Sequence, residues 1–290
     1  MAYGTKNFDK FVPELWSARL LQNLDNTHVF ANCVNRDYEG EIKNIGDTVH
    51  IQKFGDITVS DYTKASGVGT PADPGGGSTV SLVIDQAKYF NFKVEDIEAV
   101  QANVNLMEKA MQRAAYAVAE VTDKYIAAMV DDEAVTFEFG TESAPKALSA
   151  SNAYDTLVDL KVQFNKKNIP SIGRFVVVPP EFLGLLEKDD RYTKYTQNQD
   201  VKANGIKGKV AGFDIYESNN VVTKEVGASS KVLHYHIMAG TDMAISYAGQ
   251  ISKIEAYRPE ASFSDACKGL YVFGAKIVEP SAICRMDCTF

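Results

Sequence analysis

Gly46-Asp-Thr-Val-His-Ile-Gln-Lys-Phe-Gly-Asp-Ile-Thr-Val-Ser60 and Thr79-Val-Ser-Leu-Val-Ile-Asp-Gln-Ala-Lys-Tyr-Phe-Asn-Phe-Lys93 read as the two arms of one long β-ribbon. In the outgoing arm Val49, Ile51, Ile57 and Val59 hold odd positions, which share one face of a strand. In the return arm Val80, Leu82, Ile84, Phe90 and Phe92 hold even positions, again a single face. The tip between them, Thr63 to Ser78, is too rich in Gly and Pro for a helix or a ladder. Each arm of about 15 residues would span roughly 50 Å at about 3.3 Å per residue. A lone two-stranded ribbon is marginal in water, yet this one carries an apolar face along most of its length. Something outside the ribbon has to cover that face, and the simplest cover is a second copy of the chain. Val80, Leu82 and Ile84 are therefore expected to lie against a neighbouring subunit and not against their own core. The ribbon points to assembly before catalysis.

At 290 residues the chain is long enough for one large or two modest domains. A hydrophobic share of 45% and a charged share of 23% are those of a soluble globular protein. No apolar run approaches the roughly 18–20 residues that span a bilayer, so no membrane association is expected. The start, Met1-Ala-Tyr-Gly-Thr-Lys-Asn-Phe8, lacks the apolar stretch of a secretory signal, so synthesis in a cytoplasm is expected. The net charge of −8 comes without any basic block beyond Lys166-Lys167 and Lys207-Gly-Lys209. Nucleic-acid affinity needs clustered cations that displace counterions from phosphate, so tight DNA binding is not expected. Cys33, Cys267, Cys284 and Cys288 are too few for a disulfide framework and read as free, mostly buried thiols.

Outside the ribbon the chain changes grammar twice. Pro13 suits a first helical turn, and Trp16, Leu20, Leu21 and Leu24 follow at helical spacing. After the ribbon, residues from about Glu95 to about Val130 predict the longest helix. Ile97, Val100, Val104, Met107, Met111, Ala114, Val118, Val121, Tyr125 and Ala128 recur there at steps of three and four. A 3.5-residue repeat suggests a coiled coil, but the Ala-rich flanks favour a backbone helix packed broadly on a sheet. From about residue 150 helix and strand alternate. Ala153, Leu157, Leu160 and Phe164 form one helical face, and Arg174-Phe-Val-Val-Val-Pro-Pro180 is a buried strand stopped by prolines. A short helix follows over 181–187, then a polar loop through Lys209. Strands are expected at 209–218, 231–238, 251–257 and 269–278.

Catalytic chemistry has little purchase. His234-Tyr-His236 places two imidazoles on one strand face, without a third ligand at metal spacing. Cys267 or Cys33 as a nucleophile would need a histidine and an orienting acid that the sequence does not supply nearby. Cys284 and Cys288 lack a histidine at their end of the chain. Asp131-Asp132 and Asp189-Asp190 are adjacent, not separated, carboxylates and read as solvated surface. The glycines of 67–77 lack the Gly-Lys-Ser/Thr ending of a phosphate loop. No catalytic, cofactor-binding or metal residue is expected, and no cofactor. A small α/β enzyme using Cys267 or the His234/His236 pair is the distant alternative.

The order of parts resembles the major capsid proteins of tailed bacteriophages, with the Hong Kong 97 shell fold. The segments that carry the resemblance are Val12-Pro-Glu-Leu-Trp-Ser-Ala-Arg-Leu-Leu21, Ile45-Gly-Asp-Thr-Val-His-Ile51 and Gly173-Arg-Phe-Val-Val-Val-Pro-Pro180. Val210-Ala-Gly-Phe-Asp-Ile-Tyr-Glu-Ser218, Tyr257-Arg-Pro-Glu-Ala-Ser-Phe263 and Gly269-Leu-Tyr-Val-Phe-Gly-Ala-Lys-Ile277 complete them. The resemblance implies an α+β fold with an N-terminal arm (1–40) and an extended β-hairpin loop (41–93). It implies a peripheral domain with its spine helix (94–148 and 249–290) and an axial α/β domain (149–248). It further implies self-assembly through pentamers and hexamers into an icosahedral shell in the host cytoplasm, packaging double-stranded DNA without specific binding. A separate scaffolding protein and a portal are the implied partners, since the arm begins at once where some relatives carry a scaffolding segment. Lys53 and Lys64 lie in the ribbon, but no cross-linking partner is identified. An encapsulin-like compartment shell is the nearer alternative.

Overall fold

The computed structural model describes residues 28–42, 44–53, 59, 61–62, 64, 79–95, 106–189, 191, 206–227, 231–260 and 264–290. The helix expected after Pro13, ribbon position Ile57, the ribbon tip apart from Lys64, Ile97, Val100 and Val104 of the long helix, and the polar loop at 192–205 lie outside the described residues. At the ribbon base, β1 (Thr48–Gln52) and β2 (Thr79–Val83) pair antiparallel, with Val49 opposite Leu82 and Ile51 opposite Val80. The two apolar faces read from the alternation thus become one face.

The return arm does not continue as ribbon. It breaks at Ile84-Asp85, and β3 (Gln86–Glu95) leaves β1 to pair with a strand from the far end of the chain. Phe90 and Phe92 therefore belong to a different sheet from Leu82, which corrects the reading of one uninterrupted arm. The physical reason is a packing partner: Phe90 lies opposite Gly269, and its ring fills the space that a side chain at Gly269 would need.

The long helix, α1 (Leu106–Ala128), ends in a 3-10 turn at Met129–Asp131. Its buried positions come in adjacent pairs every four residues: Ala114 with Ala115, Val118 with Ala119, Thr122 with Asp123, Ile126 with Ala127. Met111, Ala114 and Val118 of the expected stripe are buried, but Val121 is 40% exposed and Ala128 is exposed. The buried stripe is two residues wide and steps by four, unlike the 3.5-residue seam of a coiled coil.

Short strands β4 (Glu138–Phe139) and β5 (Lys146–Ala147) lead to α2 (Ala153–Lys166), which buries Ala153, Leu157, Leu160 and Phe164. Next come β6 (Arg174–Val178), buried at all five positions, and α3 (Pro180–Glu187), with Pro180 in its first turn, where a missing N–H costs nothing. The remaining strands are β7 (Ile206–Val210), β8 (Phe213–Glu217), β9 (Val222–Val226), β10 (Val232–Thr241), β11 (Ile245–Tyr257), β12 (Ser264–Ile277) and β13 (Ile283–Thr289).

Two larger sheets result. One runs β4-β13-β10-β6-β8-β7, with β5 on β13 and β9 on β10; the other runs β11-β12-β3. The boundary expected at residue 249 does not follow sheet membership. β13 crosses back to pair with β10 from Tyr235↔Cys288 to Gly240↔Ile283, and it also carries β4 and β5. Segments 138–147 and 283–289 thus complete the sheet of the 149–248 region, because β10 is long and apolar enough to be paired on both edges. No helix among the described residues is long and apolar enough to cross a membrane.

Candidate assembly surfaces

The ribbon base sits on its own subunit. Val49, Ile51, Leu82 and Ile84 form a small core with Ile42, Ala248 of β11 and Val272 of β12, and Leu82 and Ile84 are fully buried in it. The placement of Leu82 and Ile84 against a neighbouring subunit is therefore corrected. The three-stranded sheet presents an apolar strip at Ala248 and Val272 that covers them within the chain. Val80 is half-buried, and Val83, on the opposite ribbon face, is 45% exposed. Gly274 makes the seat possible. A methyl group there would run into the Val83 carbonyl oxygen and the Ile84 backbone, so the ribbon lies directly on the strand. The Ile84 N–H donates to the Asp47 carbonyl at 3.0 Å, and Gly46 N–H to the Ile84 carbonyl at 2.8 Å. Beyond β1, Lys53 is paired with Glu279 at 2.9 Å. The Ser281 hydroxyl and then Lys53 hold the Glu279 carboxyl below its ordinary range.

Further along the same sheet face, nothing in the described chain covers the strands. Tyr89 (80% exposed), Asn91, Lys253, Glu255, Lys268 and Leu270 line a shallow depression of about 350 Å³. Lys268 is paired with Glu255 at 2.8 Å and lies over the Tyr257 ring, whose hydroxyl donates to Asn91 at 3.1 Å. The depression thus combines the exposed Tyr89 ring and Leu270 with the Lys268–Glu255 ion pair. The opposite face of the sheet, through Tyr271 and Phe273, packs into the main core with Tyr125 of α1.

The segment ahead of the ribbon is tied to the spine helix by one buried acid. Asp123 of α1 accepts from the Val29 N–H at 2.8 Å and the Ala31 N–H at 3.3 Å, and His28 Nδ1 lies 3.4 Å away. Three polar groups of an otherwise irregular segment converge there on a single carboxylate.

His234 and His236 are both buried and both carboxylate-bound. His234 Nδ1 is 2.8 Å from Asp287, and His236 Nδ1 is 2.6 Å from Asp131. Asp131 is exposed, as expected of solvated surface, yet it meets His236 and, at 3.5 Å, Arg285, which also pairs with Glu138. Asp189, also expected on solvated surface, is instead buried and paired with Arg191 at 2.7 Å. Burial alone would raise the Asp131 carboxyl, but His236 and Arg285 together hold it below the usual range. Position 287 stands opposite 236 in the β10–β13 register, which no local pattern announces. The available signal was an acid flanked by Met286 and Cys288 in an apolar strand, where a charge needs a partner. Among the described residues, no three His, Cys, Asp or Glu side chains are placed to hold a metal. All four cysteines are free and buried, and burial pushes the Cys267 thiol up to about 11 and those of Cys33, Cys284 and Cys288 well up. Such thiols make poor nucleophiles at neutral pH.

The α+β subunit, with its seated ribbon base, long helix and two larger sheets, has an architecture shared with solved phage capsid structures. The sequence profile of a family described as phage capsid protein matches residues 78–286. A chain from the solved structure of Mycobacterium phage Che8 is 31% identical, with a TM-score of 0.64 covering 89% of this chain and 90% of that one. A chain of the capsid structure of cyanophage P-SCSP1u shares the fold at 14% identity, with a TM-score of 0.64 over 90% and 88%. A virus-like particle from Pyrococcus furiosus does so at 12% identity and a TM-score of 0.56, over 94% and 98%. No curated protein sequence matches the chain. The chain belongs to the phage capsid protein family. It is a major capsid protein with the Hong Kong 97-like fold, a structural unit that self-assembles into a phage head shell.

Proposed function

We propose that copies of this chain assemble as pentamers and hexamers into the icosahedral head of a tailed phage, in the host cytoplasm, around double-stranded DNA. The observation that carries the reading is the phage-capsid profile, which runs from the return arm of the ribbon into β13 and so spans both larger sheets. In this reading α1 and the three-stranded sheet form the peripheral part of the subunit and the eight-stranded sheet the axial part. The protein is a structural one without catalytic activity: its thiols are buried, and its three buried histidines, His28, His234 and His236, lie against carboxylates. The net charge of −8 suits a wall that repels phosphate and lets DNA pack without adhering. A separate scaffolding protein and a portal are the partners proposed for assembly.

An encapsulin-like compartment shell would share this architecture, and a virus-like particle from Pyrococcus furiosus has the fold, as the phage capsids do, so the fold does not separate the two readings. The phage-capsid profile favours the head. The test is to produce the chain with and without its phage's scaffolding protein and to examine it by sedimentation and negative-stain microscopy. Closed shells are expected. A compact monomer or dimer under both conditions would overturn the proposal, and shells that load a cargo enzyme in place of DNA would favour the compartment.

A further inference from the structure

The loop between α2 and β6 ends in an apolar tip. Ile172 is 86% exposed there, and Met243, in the turn after β10, is 52% exposed. Just past the last β6–β10 pair, Arg174↔Thr241, the Asp242 N–H donates to the Gly173 carbonyl at 3.3 Å, which sets position 172 beside 243. Gly173 has a φ of 72°, and a side chain on it would run into the Asp242 carboxylate, so the loop lies directly on that turn. An exposed isoleucine by itself is ordinary. This one stands on a loop fastened by a buried cation. The Arg174 guanidinium donates to the Ile169 and Pro170 carbonyls and to Asn165, and it lies over the Phe164 and Phe213 rings. Among the described residues no carboxylate pairs with it. A buried charge is costly, and here it serves to fix the loop beneath Ile172.

The depression around Tyr89 and Leu270 has the complementary makeup. Lys253 and Lys268 stand there against Glu255, a surplus of one cation, whereas the tip carries the exposed carboxylate of Asp242 beside its two apolar side chains. The two patches cannot meet within one chain. Asp242 lies just ahead of β11 and Lys253 is the ninth residue of that strand, so roughly 25 Å of extended chain separates them at about 3.3 Å per residue. We propose that the Ile172–Met243 tip of one subunit seats in the Tyr89–Leu270 depression of a second copy, with Asp242 facing Lys253. The contact rests on the shell reading given above and assigns it a pair of surfaces. Tip and depression are different patches, so each copy in a contact keeps one of them free for the next. Contacts of this kind run head to tail and, where the rotation closes, make the rings that pentamers and hexamers require.

The test assembles the full chain carrying Ile172→Cys and Tyr89→Cys together and treats the shells with a short bismaleimide. Both positions are exposed and the four native thiols are buried, so the new pair should react alone. The double variant should give a ladder of covalent oligomers ending at the pentamer and hexamer, and either single variant should give none. Double-variant shells without a ladder would overturn the contact and leave the shell reading standing, whereas a wild-type chain that builds no shells would overturn both. A thiol at position 89 that is shielded in shells yet joins none at 172 would show another segment or partner over the depression, and would overturn the contact. If the paired cysteines prevent assembly, Ile172→Asp decides. Its dissociated subunit should melt within about 2 °C of the wild type, as a substitution at an exposed site does, while its shell yield falls about tenfold or more. Shells at the wild-type yield would overturn the contact, and so would a strongly destabilised subunit, which would show Ile172 packed within its own chain.

Discussion

Leu82 faces Val49 across the base of the ribbon, and its side chain is wholly covered by its own chain. The ribbon base is thus part of the folded subunit before any neighbour arrives. Leu82→Ala should lower the stability of the dissociated subunit by about 2–5 kcal/mol, the usual cost of emptying a buried leucine site. Leu82→Asp should yield little soluble, folded subunit. Thermal unfolding of the purified variants is the measurement. A Leu82→Asp subunit that melts at the wild-type temperature yet builds no shells would return this side chain to the interface.

Gly274 controls how closely the ribbon lies on β12. Gly274→Ala adds a methyl group where the Val83 carbonyl and the Ile84 backbone already sit, and overpacking of this kind costs about 1–3 kcal/mol. The strain should appear locally. Hydrogen exchange at the Ile84 and Gly46 amides, both bonded in the ribbon base, should accelerate more than exchange at Val176 in the buried β6. Uniform acceleration at all three amides would show that the ribbon and the main core unfold as one unit.

The parts that could be read from the sequence are those whose structure is local. The helical face Ala153, Leu157, Leu160, Phe164 and the strand Arg174–Val178 follow from spacing and punctuation alone, and both are buried as read. The facing of Val49 and Leu82 follows from alternation in two nearby strands. What could not be read depends on partners that arrive from far along the chain. The ribbon stops at Ile84 because β12, nearly two hundred residues later, takes β3 as its partner. The histidines meet Asp287 because β13 docks on β10, 53 residues away in the sequence. Asp131 is the exposed helix end it looks like, but its pairing with Arg285 and His236 waits on strands from far along the chain. The stripe of α1 misled after Val118 because alanines serve equally well on either side of it, leaving the sheet to choose the buried face.

Asp123 is the anchor of the segment that precedes the ribbon. Asp123→Ala would leave the Val29 and Ala31 amides and His28 without their acceptor inside the protein. Each buried group so orphaned costs about 1–3 kcal/mol, while α1 itself gains slightly from alanine. Residues 28–34 should therefore lose hydrogen-exchange protection while α1 keeps its own. Asp123→Asn, which retains one acceptor oxygen, should fall between the two. Unchanged protection at 29 and 31 in the alanine variant would show that the segment is held by its apolar contacts, Phe30 above all.

The thiols give a direct measure of how closed the core is. An ordinary cysteine ionises near pH 8.5 and reacts readily with a disulfide reagent at pH 8. Burial pushes Cys267 up to about 11 and raises Cys33, Cys284 and Cys288 as well, so the thiolate is scarce and the reagent has no path to it. Native protein at pH 8 should show almost no rapid titration with Ellman's reagent, and all four thiols should appear on denaturation. Because Cys284 and Cys288 are buried side chains of β13, a strand within the eight-stranded sheet, their slow reaction should follow opening of that strand. It should accelerate in Asp287→Ala, which strips His234 of its partner on the same strand pair. Replacing both cysteines by serine should leave shell assembly intact and the zinc content of the purified protein unchanged at background. Rapid reaction of one thiol in the native protein would place that cysteine on an exposed surface and reopen the question of its chemistry.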